Sequence, residues 1–115
     1  MDTGDILEAL RRQRTIDITT TGAKSGRPRR IETWAWPDGD SVYLTGTPGR
    51  RDWYANLLAH PDFTVHLKRD VRADLPARAR PITDRERRRV VFERLRPAQA
   101  DAWTDGSPLV EVEFS

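Results

Sequence analysis

Hydrophobic positions recur along this chain in two periods, and the switches between them outline its elements. In residues 4–13, Ile6, Leu7 and Leu10 form one helical stripe, with Asp5 near the start and Arg11, Arg12 and Arg14 near the end. That charge placement suits a helix dipole at both termini and predicts a short amphipathic helix. From Thr15 a β-branched alternation, Ile16-Asp17-Ile18-Thr19-Thr20-Thr21, predicts a strand. Arg30 to Trp36 alternates again, with Ile31, Thr33 and Ala35 on one face and Glu32, Trp34 and Trp36 on the other. Pro37-Asp38-Gly39-Asp40 reads as a turn, and Ser41 to Thr45 returns as the partner strand of a hairpin.

After a Gly46–Arg51 loop, Asp52 is placed to cap a helix over 53–59 that His60-Pro61 ends. Phe63, Val65 and Leu67 alternate with Thr64, His66 and Lys68, which predicts a half-buried strand with His66 facing solvent. A turn at Arg69-Asp70 leads to a strand over 73–82. Thr83-Asp84-Arg85-Glu86 has capping-box form, with Thr83 as the cap, and the helix behind it directs Val90, Val91 and Leu95 inward. Pro97 interrupts that helix, a short helical piece follows over 98–103, and Leu109 to Phe114 closes the pattern as a strand. About six strands with short connections suit an antiparallel barrel with flanking helices, an α+β fold that is mainly β, because parallel crossovers need more chain.

Composition narrows the chemistry. The 115 residues suit one domain over 1–115, and 37% hydrophobic content implies a thin core. There is no cysteine, which removes disulfides, thiolate metal sites and a cysteine nucleophile, and His60 and His66 are too few for a histidine-rich metal site. No metal is expected. The net charge of +2 argues against a general nucleic-acid partner. No apolar run is long enough to span a bilayer and no leader pattern opens the sequence, so a cytoplasmic location is expected. Arg85-Glu86-Arg87-Arg88-Arg89 is spread by helical spacing around a solvated face.

Two segments carry candidate chemistry. Residues 22–30 hold Lys24, Arg27, Arg29 and Arg30 with no acid, and Gly22 and Gly26 let backbone amides approach a ligand. Such a turn is an anion site by chemistry, or else a solvated arginine-rich turn. It matches neither a P-loop nor the dinucleotide fingerprint. In the second segment, Thr45 to Leu57, glycines lie between a strand end and a helix start; Trp53 and Tyr54 could flank a planar ring and Asn56 hydrogen-bond it, or Trp53 and Leu57 are ordinary core anchors.

Together, Thr19-Thr20-x-Gly22-x-Lys24-Ser25-Gly26-x-x-Arg29 and Asp52-Trp53-Tyr54-x-Asn56-Leu57-x-x-x-Pro61 resemble the deazaflavin (F-420)-dependent nitroreductase family, also called the F-420-dependent quinone reductases. The resemblance covers roughly residues 15–70 and implies a split β-barrel that binds coenzyme F-420 in a groove. It implies that Lys24, Ser25, Gly26 and Arg29 grip the phosphate and acidic tail, that Thr45, Gly46 and Thr47 line the ring, and that Trp53 and Asn56 sit beside it. The implied reaction is hydride transfer to a quinone, nitro compound or activated alkene, with the protein orienting the cofactor and excluding water. Glu32-Thr33 stands where many members carry Pro-Leu, which makes Glu32 a candidate proton donor, and Thr47 takes the place of a usual lysine. FMN or FAD is the alternative cofactor, since related split barrels accept several flavin-like ligands, and a non-catalytic flavin carrier is the alternative role. A homodimer is expected to cover apolar surface left by a thin core.

Overall fold

The computed structural model describes all of residues 1–115. Its order is α1 (Thr3–Arg12), β1 (Thr15–Thr21), β2 (Pro28–Asp38), β3 (Ser41–Thr45), α2 (Asp52–Ala59), β4 (Asp62–Lys68), β5 (Arg72–Pro81), α3 (Arg85–Leu95), a 3-10 turn (Pro97–Gln99), α4 (Ala100–Gly106) and β6 (Leu109–Phe114). The six strands close into a barrel in the order β1-β2-β3-β6-β5-β4, every pair antiparallel. This is the expected barrel. No helix is long and apolar enough to cross a membrane.

Alternation along the strands sorts residues between two cores. Ile16, Ile18, Ala35, Val42, Leu44, Val65, Val110 and Val112 point inward and fill the barrel, together with Leu7 and Leu10 of α1 and Trp53 and Leu57 of α2. Tyr43 and Leu109, on the opposite faces of β3 and β6, meet Val91, Phe92 and Trp103 in a smaller outer core under α3 and α4. β3 is therefore buried on both faces, which explains its run of apolar residues.

The barrel is open at one end for a reason visible in the register. β2 pairs with β1 from Pro28 to Trp34, but with β3 only from Ala35 to Asp38. The first half of β2 thus overhangs with one edge free. Its inward-side residues, Arg29 and Ile31, are left uncovered, and Ile31 is 37% exposed despite standing opposite fully buried Ile18.

Several expectations are corrected. Asp52 does not cap α2; Arg51 occupies the cap without a side-chain bond, and Asp52 lies in the first turn. Asp84, not Thr83, caps α3, its carboxylate accepting from the Arg87 amide at 2.9 Å. Val90 is exposed, because the buried stripe of α3 runs through Arg88, Val91 and Phe92. His66 is buried rather than solvent-facing, since β4 lies between β1 and β5 and hydrogen-bonding side chains flank it on both neighbours.

Arg88 likewise leaves the solvated face assigned to its cluster. Its guanidinium donates to the Thr104 carbonyl at 2.6 Å, the Ile82 carbonyl at 2.8 Å and the Ser107 carbonyl, joining α3, α4 and the approach to β6. Three carbonyls in fixed positions need the planar fork of arginine, which an ammonium cannot reproduce. Arg88→Met is expected to destabilise the fold by about 3 kcal/mol or more, because buried acceptors lose their donors. Arg88→Lys should recover little of that, and Arg89→Gln should barely shift the urea midpoint. Equal midpoints for the Arg88 and Arg89 variants would contradict this account.

Candidate functional site

The β1–β2 connection is a closed loop held by its own backbone. The Gly22 amide donates to the Arg27 carbonyl at 2.8 Å, and the Gly26 amide to the Gly22 carbonyl at 2.9 Å. Gly26 has φ +69°, a left-handed conformation in which a side chain is strained. At Gly22 a Cβ would run into the Ser25 hydroxyl, which accepts from the Arg27 amide at 3.2 Å. The turn thus requires glycine at position 26, while a side chain at position 22 would displace the Ser25 hydroxyl.

One side chain ties this turn to α2. Asn56 accepts from the Ala23 amide at 2.8 Å through Oδ1 and donates from Nδ2 to Thr20 Oγ1 at 3.1 Å. Between the overhanging hairpin and α2 lies a cleft of about 480 Å³. Thr20, Lys24, Ser25, Arg29 and Ile31 form the hairpin wall, and Asp52, Trp53, Ala55 and Asn56 form the helix wall.

The cations of this cleft are free. Elsewhere, arginines 30, 78, 80, 85, 87, 89 and 94 each pair with a carboxylate. Lys24, Arg27 and Arg29 pair with none, and they stand in a turn with no acid of its own. An unpaired ammonium, a guanidinium fork and a serine hydroxyl on one wall make a donor set suited to a phosphate or carboxylates. Ile31 and Trp53 add apolar surface beside it.

The structure therefore brings Lys24, Ser25, Arg29, Trp53 and Asn56 together on one cleft, with Gly26 in the turn behind. Trp53 and Leu57 are also core anchors, both packed into the barrel interior. Thr45, Gly46 and Thr47 lie elsewhere. Thr45 is buried and donates to the Pro108 carbonyl at 2.5 Å, while Thr47 accepts from Arg51 at 2.8 Å through its hydroxyl. Ile31, Asp52 and Ala55 complete the cleft without having been singled out in the sequence. For Ile31 a signal existed, because it shares a face with Arg29 two residues away.

Glu32 is on the other face of β2. It is exposed and ion-paired with Lys68, which also contacts Asp17 at 2.6 Å, so it is turned away from the cleft. Beside it on the outer wall, His66 bonds Thr19 Oγ1 at 2.6 Å and Asp74 Oδ1 at 2.6 Å. The Lys68 ammonium, followed by the Arg30 guanidinium, holds the Asp17 carboxyl below its ordinary value of 3.8.

A closed barrel of antiparallel strands with a cation-rich turn folded against a helix is a split-barrel arrangement. The pattern of the family described as F-420H(2)-dependent quinone reductase matches residues 2–112, and the chain belongs to that family. Among solved structures, an F-420-dependent reductase designated FDR-A is 26% identical, with TM-score 0.61, over 88% of this chain and 95% of that one. A protein described as a domain-swapped dimer has the same identity and TM-score over 88% of this chain and 81% of its own. A conserved hypothetical protein of Mycobacterium tuberculosis, 17% identical, shares the fold with TM-score 0.74 over 99% of this chain and 81% of that one. The chain is accordingly an F-420-dependent oxidoreductase, and the cleft's donor set fits the phosphate and acidic tail of that cofactor.

Asp17 gives the outer wall a definite pH dependence. Because its folded value is depressed, its contribution to stability is present above 3.8 and is lost as pH falls through the lower folded value. Urea titrations should therefore find wild type more stable than Asp17→Asn at pH 6, with the difference shrinking below about pH 4. A difference that persists unchanged at pH 2 would contradict the assignment.

Proposed function

We propose that Lys24, Ser25, Gly26 and Arg29 grip the phosphate and acidic tail of F-420, with Trp53 and Asn56 beside the cofactor; Thr45, Gly46 and Thr47, which the resemblance puts at the ring, lie outside this cleft and are given no part in the grip. The reaction is hydride transfer to a small-molecule acceptor, a quinone, nitro compound or activated alkene. The observation that carries this reading is the pair of unpartnered cations, Lys24 and Arg29, on a cleft whose width is fixed by Asn56.

F-420, when bound, supplies the hydride. The chain's own work is positional. The two cations and the Ser25 hydroxyl fix the anionic end, so the ring end enters in one orientation rather than many. Asn56 spends its amide on the turn, which keeps the cations in place before the ligand arrives and lowers the ordering cost of binding. Trp53, anchored in the barrel core, offers an immobile apolar edge that excludes water from its side of the cleft. Asp52 is the one carboxylate lining the cleft and no histidine lines it, so proton delivery to the reduced acceptor falls to Asp52 or to solvent in this scheme.

A homodimer and a cytoplasmic location belong to the same reading, the first supported by the relative described as a domain-swapped dimer. Light scattering on purified protein tests the dimer directly.

Fluorescence titration of purified protein with F-420 tests the site. Lys24→Gln and Arg29→Gln are each expected to weaken binding about tenfold, the value of one charge-assisted contact. Arg72→Gln, at an exposed arginine outside the cleft, should leave it unchanged. Menadione reduction should fall in parallel for the first two. Equal effects from all three substitutions, or tighter binding of FMN than of F-420, would overturn the proposal.

A further inference from the structure

On the opposite side of α2 lies a second cleft, of about 590 Å³, that the assignments above leave unused. It is framed by Gly49–Arg51, by α2 and by residues 106–108. The frame is braced. The Gly49 amide donates to the Gly106 carbonyl at 3.1 Å, and a Cβ on Gly106 would lie 3.1 Å from Pro48 Cβ, so the two loops touch without room for a side chain. Arg51 is fixed from within by the Thr47 carbonyl at 3.1 Å and hydroxyl at 2.8 Å.

Three observations give this cleft a ligand chemistry. Ser107 lines it, is 4% exposed, and its hydroxyl has no hydrogen-bond partner. Buried polar groups are nearly always bonded, so an orphan on a cleft wall marks a place where a ligand completes the bond. Arg88 also lines the cleft, 8% exposed, and its three partners are neutral carbonyls. Its charge is therefore buried without a compensating acid, which makes the cleft electropositive. Asp105, the acid in the lining, is taken by Arg85 at 2.8 Å, while exposed Arg50 pairs with no carboxylate. Tyr54, Ala55 and Leu58 supply an apolar wall.

We infer that this cleft binds a planar aromatic molecule bearing an acidic group, such as an aromatic carboxylate. The acid group accepts from Ser107 Oγ and from the Arg50 guanidinium in the positive field of Arg88, and the ring lies along Tyr54, Ala55 and Leu58. The binding chemistry stands on the cleft alone. Ala55 lines both clefts, so a ligand here sits across a single helix from the cofactor cleft.

Calorimetric titration of cofactor-free protein with 2-naphthoate and its neutral counterpart 2-naphthamide tests the site. The acid should bind at least about tenfold more tightly than the amide. Arg50→Gln and Ser107→Ala should each weaken the acid about fivefold or more and leave the amide unchanged, as expected for loss of one polar contact to a charged group. Ser107→Ala should keep or raise Tm, because it removes an unsatisfied hydroxyl. Equal affinities for acid and amide, or indifference to both substitutions, would overturn the site. F-420 titrated into protein saturated with 2-naphthoate should bind with unchanged affinity, and competition would overturn the proposal of a separate site. Loss of F-420 binding with naphthoate binding intact would uphold the anion site and overturn the function proposed for the first cleft.

Discussion

The double hydrogen bond made by Asn56 is the constraint on which the cleft proposed for the cofactor depends. Its amide must accept from the Ala23 backbone and donate to Thr20 in one rotamer, at 2.8 and 3.1 Å. Aspartate cannot donate and leucine can do neither, so the position admits few alternatives. The residue is 8% exposed, which removes competing water and makes both bonds worth more than on an open surface. Without them the overhanging β1–β2 hairpin, unpaired with β3 over its outer half, would have no side-chain link to the helix opposite. The open end of the barrel and the arginine-rich turn are thus made into a cleft by a single amide.

Charge in this protein is sorted by partner. Seven of the eighteen arginines pair with carboxylates around the outside of the barrel, where exposed pairs contribute little stability. Arg88 is spent on three carbonyls inside. What remains near α2 is Lys24 and Arg29 on one side and Arg50 on the other, cations with nothing in the chain to neutralise them. That residue of unpaired charge, rather than net charge, is what points to anionic ligands.

The strands were legible in the sequence because a barrel wall buries one face, and period-two alternation follows directly from that. Ile16 and Ile18 alternate with polar residues because both are buried in the barrel. The pattern failed where both faces have partners. His66 alternates with apolar residues yet is buried on the outer wall between Thr19 and Asp74, contacts that sequence spacing does not reveal. Arg88 and Val90 were misassigned together: a buried arginine among arginines shifts the apparent helix stripe by two positions. Within the candidate site, the turn and α2 were legible as elements, because Gly22 and Gly26 punctuate the chain and His60-Pro61 ends the helix. The outward turn of Glu32 and the orphan hydroxyl of Ser107 were not, since both follow from strand register and loop packing.

Amide-resolved NMR on addition of F-420 tests the central claim most directly. The account predicts the largest shifts at Gly22 to Gly26, Arg29 and the first turn of α2, with the Ala23 amide among them because its bond to Asn56 fixes the cleft. Shifts confined to the outer wall around Asp17 and His66, or spread evenly over the barrel, would contradict it.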